Sequence, residues 1–225
     1  LRLRSIITTQ DGAKTLYVNS LGETYHSKNG ALQEAEHVFI KNGIRKLKKD
    51  EINILELGFG TGLNVLVTLN EFIESNICKK INYFSIEKYP IKLNEVEELK
   101  YEELFENQYV KKAFIEIHSL VWGELEKIND EFYLKKIKSD FFELKNIELP
   151  PIDLVYFDCF ASRVQPYLWE EDLLKIVSDK MLSGGLFTTY SSKGSVKRIL
   201  KYLGFKVEKL AGPIGKREMI NAWKI

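Results

Sequence analysis

Residues 52–64 read INILELGFGTGLN. The first six residues form a short apolar run of strand length, which leads directly into Gly58, Gly60 and Gly62. From residue 62 to residue 74 the apolar side chains Leu63, Leu66, Val67 and Leu69 recur at helical spacing. Strand, glycine loop and helix in that order are the opening βα unit of an open α/β sheet, with glycines where a ligand must approach the backbone. The spacing is GxGxG. A dinucleotide fingerprint, GxGxxG, would need a third glycine at position 63, which is Leu63.

Outward from this unit, residues 82–87, 132–138, 152–158 and 184–190 read as further strands. Helical patterns cover residues 92–105, 110–128, 167–182 and 195–203, the last closed by Gly204. Residues 205–210 and 219–224 are two more strands, too close together for a crossover helix and therefore antiparallel. The expectation is a Rossmann-like α/β fold with a seven-stranded, mostly parallel sheet ending in an antiparallel strand. Residues 1–50 differ: two short strands over 6–9 and 16–19 flank Asp11-Gly12, and a helix covers 31–42. They are expected to form an N-terminal extension packed on a catalytic domain spanning 51–225.

Acids at the strand ends indicate a ligand. Glu87 ends the second strand of the sheet, where this fold holds a ribose, and a carboxylate accepts two hydrogen bonds at once. Asp140 follows the third strand, placed to accept from an adenine amino group with Phe141 beside the ring. With Glu56 two residues before the first glycine, the pattern fits S-adenosylmethionine, which carries no phosphate, better than a dinucleotide. Asp158 closes the fourth strand, on the side of the sheet where open α/β folds bind ligands, and is the candidate for the reacting end. Any one of these acids alone reads more simply as a solvated loop carboxylate or a helix cap. Their order along the chain argues for a site.

The 225 residues are 44% apolar and 29% charged, an ordinary globular balance. A net charge of +1 disfavours a uniformly basic protein that coats nucleic acid. Bases gather locally, however: residues 191–217 carry eight, including Lys216 and Arg217, against one acid, Glu208. Residues 95–106 lean acidic and are expected to face away from RNA. Cys78 and Cys159 form no CxxC pair, which excludes a disulfide framework and fits a reducing compartment. Cys159 has no evident activating partner. His26, His37 and His118 lack metal-ligand spacing, so no metal is expected; His26 and His37 read as structural or substrate-side. No apolar run approaches the ~20 residues of a membrane span, and no signal peptide is visible. A cytoplasmic location is expected.

Several blocks resemble one family. ELGFGTGLN at 56–64 is joined by YHSKNGA at 25–31, EAEHVF at 34–39, FSIEKYP at 84–90, Asp158-Cys159-Phe160 through Pro166 and Trp169, TYS at 189–191 and GKREM at 215–219. Together they resemble the methyltransferase domain of the tRNA 5-methylaminomethyl-2-thiouridine biosynthesis family, MnmC, or MnmD when standalone. Ser162 stands where that family favours proline and Gln165 where it favours asparagine, which bears on the loop after the fourth strand.

The resemblance implies methyl transfer from S-adenosylmethionine to the aminomethyl nitrogen of a tRNA wobble uridine, without metal. It also implies no FAD, because no oxidase domain is present in this length. It assigns Glu56, Gly58, Gly60, Gly62, Asn64, Glu87, Asp140 and Asp158 to the cofactor, and Asp158 also to catalysis. Phe160, Tyr190, Lys216 and Arg217 fall to the substrate, with Phe160 or Trp169 stacking on the extruded base. The partner is tRNA. A separate oxidase or precursor-forming enzyme is not readable from the sequence. Two other readings stand beside this one: a methyltransferase of the same fold acting on another amine or small molecule, and a non-catalytic RNA-binding protein that keeps a nucleoside pocket. A nicotinamide dehydrogenase is disfavoured by Leu63.

Overall fold

The structure, a computed structural model, describes residues 3–225; Leu1 and Arg2 of the expected N-terminal extension lie outside the described residues. The chain opens with strands β1 (Arg4–Thr8), β2 (Lys14–Val18) and β3 (Glu23–Thr24), which pair antiparallel in that order. Helix α1 (Ala31–Ala35) continues directly into a π-helical segment, Glu36–Lys41. Then come β4 (Glu51–Leu57), α2 (Leu63–Ser75), β5 (Lys80–Glu87), α3 (Leu93–Leu99) and α4 (Gln108–Ser119). Strands β6 (Leu125–Asn129), β7 (Phe132–Lys138) and β8 (Ile152–Phe157) precede α5 (Glu171–Lys180) and β9 (Met181–Thr189). The chain ends with α6 (Gly194–Tyr202), β10 (Phe205–Ala211) and β11 (Glu218–Lys224).

The main sheet has eight strands in the order β10-β11-β9-β8-β4-β5-β7-β6. Its five inner strands, β9 to β7, run parallel, while β11, β10 and β6 are antiparallel to their neighbours. From β4 the chain builds outward through β5 and β7, then returns to place β8 on the other side of β4. The order therefore reverses between β4 and β8, and their carboxyl ends frame the crevice where such sheets bind ligands.

The central strands are apolar on both faces because both faces are covered; β8, IDLVYF, is buried throughout. On one face Ile54, Tyr83, Leu154 and Tyr156 pack with Leu66 and Leu69 of α2, Phe114 of α4, and Leu16 and Phe39 from the N-terminal residues. On the other, Leu55, Leu57, Val155 and Phe157 pack with Trp169, Leu173 and Leu174, and with Val196 and Leu200 of α6. Residues 3–50 thus share a core with the sheet. Hydrogen bonds fasten them to its edge, from the Asn221 amide to Asn42 O (2.7 Å) and from His37 Nε2 to Ala211 O (2.8 Å).

Four sequence expectations need correction. The helix expected over 92–105 is interrupted at Lys100, with φ of +53°, so that α3 is followed by a 3-10 turn, Tyr101–Leu104. The helix expected over 110–128 stops at Ser119. Gly123, with φ of +98°, donates its N–H to Lys136 O at 2.7 Å and turns the chain back. Residues 125–129 then form β6 against β7, burying Ile128 and exposing Leu125, so the sheet has eight strands instead of seven. The helix expected over 167–182 divides into a 3-10 turn, Pro166–Trp169, and α5, and β9 begins at Met181. The N-terminal sheet has three strands because the two-residue β3 adds to the expected pair.

Candidate active site

At the crevice the loop after β4 presses on the end of β8. Gly58 donates its N–H to Ile86 O at 3.0 Å, and the Asp158 N–H reaches Leu57 O at 3.2 Å. A Cβ on Gly58 would stand 2.8 Å from the Asp158 carbonyl oxygen, and its φ is +101°. Only glycine meets both conditions. The contact sets the glycine loop and Asp158 side by side on one cleft.

The cleft is lined by Gly58, Gly60, Asn64, Glu87, Asp140, Phe141, Asp158 and Phe160 among the residues expected from the sequence. Glu87 is held by two backbone donors, Gly60 N–H at 3.2 Å and Tyr89 N–H at 2.7 Å. Its carboxylate therefore ties the glycine loop to the end of β5 while keeping lone pairs for a ligand. Asp140 caps the turn Phe141–Asn146 by accepting from Phe142 N–H at 3.0 Å, and it pairs with Lys88 at 2.7 Å. Burial alone would raise its carboxyl; the Lys88 and Phe142 contacts outweigh that and hold it below the ordinary value.

Asn64, on the first turn of α2, donates from Nδ2 to Asp158 Oδ2 at 2.8 Å. Burial, reinforced by the nearby Glu34, raises the Asp158 carboxyl to about 7, against the Asn64 hydrogen bond and Lys216, which lower it. Glu56 does not line the cleft. It lies fully buried on the α2 side of β4, accepts from the Ser85 hydroxyl, and is raised by burial to about 8. The Asn64 amide and the Tyr83 hydroxyl act on it as donors and offset part of that rise. Gly62 also faces away from the cleft, toward His118 and Ile117 of α4.

On the acceptor side, Phe160 meets Tyr25 edge-on with ring centres 5.2 Å apart, and Arg163 pairs with Glu23. The loop after β8 and the N-terminal residues thus meet over the cleft. Trp169 is core: it is 2% exposed, and its indole N–H donates to Phe160 O at 2.8 Å. Tyr190 stands behind the lining and donates its hydroxyl to Cys159 O at 2.7 Å. Lys216 turns inward to Glu34, whereas Arg217 is exposed. Burial pushes the Cys159 thiol well up, which suits packing and not nucleophilic attack.

Two histidines brace the glycine loop. His26 sits between Thr15 (2.8 Å) and Thr61 (3.4 Å), and His118 donates from Nε2 to Thr61 O at 3.0 Å. Burial lowers both to about 4, so both are neutral near pH 7. The sequence reading did not single out Tyr25, Lys88, Tyr89 or Tyr167, which also line the cleft. Lys88 and Tyr89 directly follow the strand-end acid, a signal that was available. Tyr167 carried none, since its place depends on the course of the loop after β8.

Comparisons with known proteins bear on the family and the fold. A family model described as S-adenosyl-L-methionine-dependent methyltransferase matches residues 106–225. The chain is 32% identical over 222 residues to the tRNA 5-methylaminomethyl-2-thiouridine biosynthesis bifunctional protein MnmC of Marinomonas sp.. It is 30% identical over 213 residues to the protein of the same name from Leptospira interrogans. These alignments take in 93% and 88% of this chain but 32% of each relative, so the chain spans about a third of their length. Among solved structures, MNMC2 from Aquifex aeolicus superposes with a TM-score of 0.80 at 29% identity, covering 99% of this chain and 71% of that one.

Proposed function

The chain belongs to the S-adenosyl-L-methionine-dependent methyltransferase family, and we propose that it methylates the aminomethyl nitrogen of 5-aminomethyl-(2-thio)uridine at the tRNA wobble position. The observation that carries this reading is Asp158, a carboxylate at the switch point, beside the glycine loop and aimed by Asn64. The MnmC-named relatives supply the substrate class.

The residues present suit the cofactor. Glu87 offers a ribose acceptor, Asp140 and Phe141 flank the place of an adenine, and Gly58 and Gly60 leave backbone open to the amino-acid end. When bound, S-adenosylmethionine supplies a methyl group already activated by its sulfonium. The protein's part is to hold the amine in line, keep water out and accept a proton. The substrate amine arrives largely as ammonium, which has no lone pair. Asp158 orients it and takes one proton at Oδ1 or Oδ2. A carboxyl raised to about 7 suits this role, because a strongly acidic carboxylate would stabilise the ammonium instead.

Phe160 and Tyr25 form the wall for an extruded base. Exposed Lys193, Arg198 and Lys201 on and beside α6, together with Arg217, offer a basic face to the phosphates. Among the described residues no helix is long and apolar enough to cross a membrane.

The test is transfer from labelled S-adenosylmethionine to tRNA lacking the terminal methyl, with mass analysis of the digested nucleosides. A gain of one methyl on aminomethyl uridine supports the reading. Cofactor binding with no such gain moves the search to other amines.

A further inference from the structure

Lys216 is the residue whose placement departs most from the expectation of a phosphate contact. Its Nζ is ion-paired with Glu34 and lies 3.8 Å from the centre of the Tyr190 ring. The loop between β10 and β11 is seated to allow this. Gly215, at φ +84°, lies where a Cβ would overlap the Asn29 amide, and Lys216 N–H donates to Pro213 O at 2.9 Å. Glu34 is fixed in turn, accepting from Ser27 N–H at 3.1 Å. Tyr190, under the ammonium, donates to the carbonyl of Cys159, the residue after Asp158. Three separate stretches, α1, the β10–β11 loop and the residue after β9, converge to hold one cation over Tyr190, within electrostatic reach of Asp158. A lysine serving only to attract phosphate needs none of this.

We propose that Glu34 and Lys216 are positioning residues of the acceptor site, a charge-balanced pair that governs how the Asp158 carboxylate meets an incoming amine. The inference rests on the amine-methylation reading above. For the amine to react, one N–H bond breaks, one O–H bond forms on Asp158, and the electron pair stays on nitrogen. Asp158 must therefore be ionised when the substrate arrives.

The groups around it are Asn64 from α2, Glu56 from β4, Tyr83 and Glu87 from β5, Tyr190 after β9, its neighbour Cys159, Glu34 and Lys216, with His26 lining the same cleft. Burial keeps Glu56, Tyr83, Tyr190, Cys159 and His26 largely neutral near pH 7. Among the charged groups, the paired Glu34 and Lys216 act on Asp158 oppositely: Glu34 favours the protonated carboxyl and Lys216 the carboxylate.

Glu34→Gln and Lys216→Met break the same ion pair, so a purely structural role would impair both in the same way. The proposal expects opposite effects. In single-turnover methyl transfer at saturating cofactor, the acid limb of the pH profile moves up by about one unit in Lys216→Met and down by about one in Glu34→Gln. Lys216→Arg keeps the wild-type limb. A carbon-13 titration of the Asp158 carboxyl without tRNA, assigned by its loss in Asp158→Asn, follows the same two directions. Calorimetric binding of S-adenosylhomocysteine confirms that each variant is folded. Shifts in the same direction, or no shift, in an active enzyme overturn the pairing. A wild-type enzyme inactive on aminomethyl tRNA overturns the substrate reading instead, and the carboxyl titration still decides the pairing.

Discussion

Gly58→Ala tests whether the close approach of two loops makes the cofactor site. The added methyl carbon would stand 2.8 Å from the Asp158 carbonyl oxygen, where ordinary contacts begin near 3.4 Å. The obstacle is backbone at the end of β8, and it cannot yield without carrying Asp158 away from Asn64. The φ of +101° adds strain of about 1–3 kcal/mol for any residue with a Cβ.

Gly123→Ala isolates the second effect from the first. Gly123 has nearly the same φ, +98°, no atom within 4 Å of the added carbon, and no place in the cleft. Gly123→Ala should lose about 1–3 kcal/mol in urea unfolding and bind S-adenosylhomocysteine as wild type does. Gly58→Ala should lose about 1–3 kcal/mol more, the usual cost of forcing a methyl into packed structure. Displacement of the loop should also weaken binding roughly 10–100-fold by calorimetry, tenfold for each ~1.4 kcal/mol. Equal stabilities for the two variants, with unchanged binding in both, would refute the argument that the backbone contact builds the site.

Asp158→Asn should cut methyl transfer by at least about 100-fold in single-turnover assays while changing cofactor affinity far less, because it removes a proton acceptor and keeps the shape. Stability should fall between pH 6.5 and 8. Glu56 keeps a proton in the folded state up to about 8 that the unfolded chain loses near 4.5, so its stabilising effect is complete in acid and is lost as pH rises through that window. Asp158 adds to the decline up to about 7, while His26 and His118, lowered to about 4, oppose it only below 6.5. Thermal melts of Glu56→Gln should show a flatter profile, and an unchanged slope would rule out Glu56 as its source. The affinity for tRNA should weaken with salt, and Arg198→Ala and Lys201→Ala should each lower the log–log slope by about one. A slope unmoved by both would place the RNA elsewhere.

The features legible in the sequence were those set by local pattern. Residues 52–64 announce the first βα unit because a central parallel strand must be apolar on both faces and must end where backbone can meet a ligand. Glu87, Asp140 and Asp158 were legible as acids at strand ends. β6 was not, because Leu125 and Ile128, three residues apart, fit helical spacing and not strand alternation; only Gly123 and the Asn129-Asp130 turn marked the break. The inward turn of Lys216 depends on a partner 182 residues away and has no local signature. Glu56 was placed at the right loop but at the wrong depth. Alternation with Ile52 and Ile54 puts its side chain on the face covered by α2, beneath the glycine loop.

That depth gives Glu56 a role different from touching the ligand. Glu56 and Asp158 are two carboxyls on neighbouring strands, both raised by burial, with Glu56 the higher. An ionised Asp158 further disfavours ionisation of Glu56. The two carboxyls thus take different jobs from their surroundings alone. The Asn64 amide and the Tyr83 hydroxyl offset part of the rise at Glu56. Asn64 thus stands between the two acids, lowering Glu56 in part and donating to Asp158 Oδ2 at 2.8 Å. That gives a physical reason for an acid at position 56, where a sequence reading sees only a residue two places before a glycine.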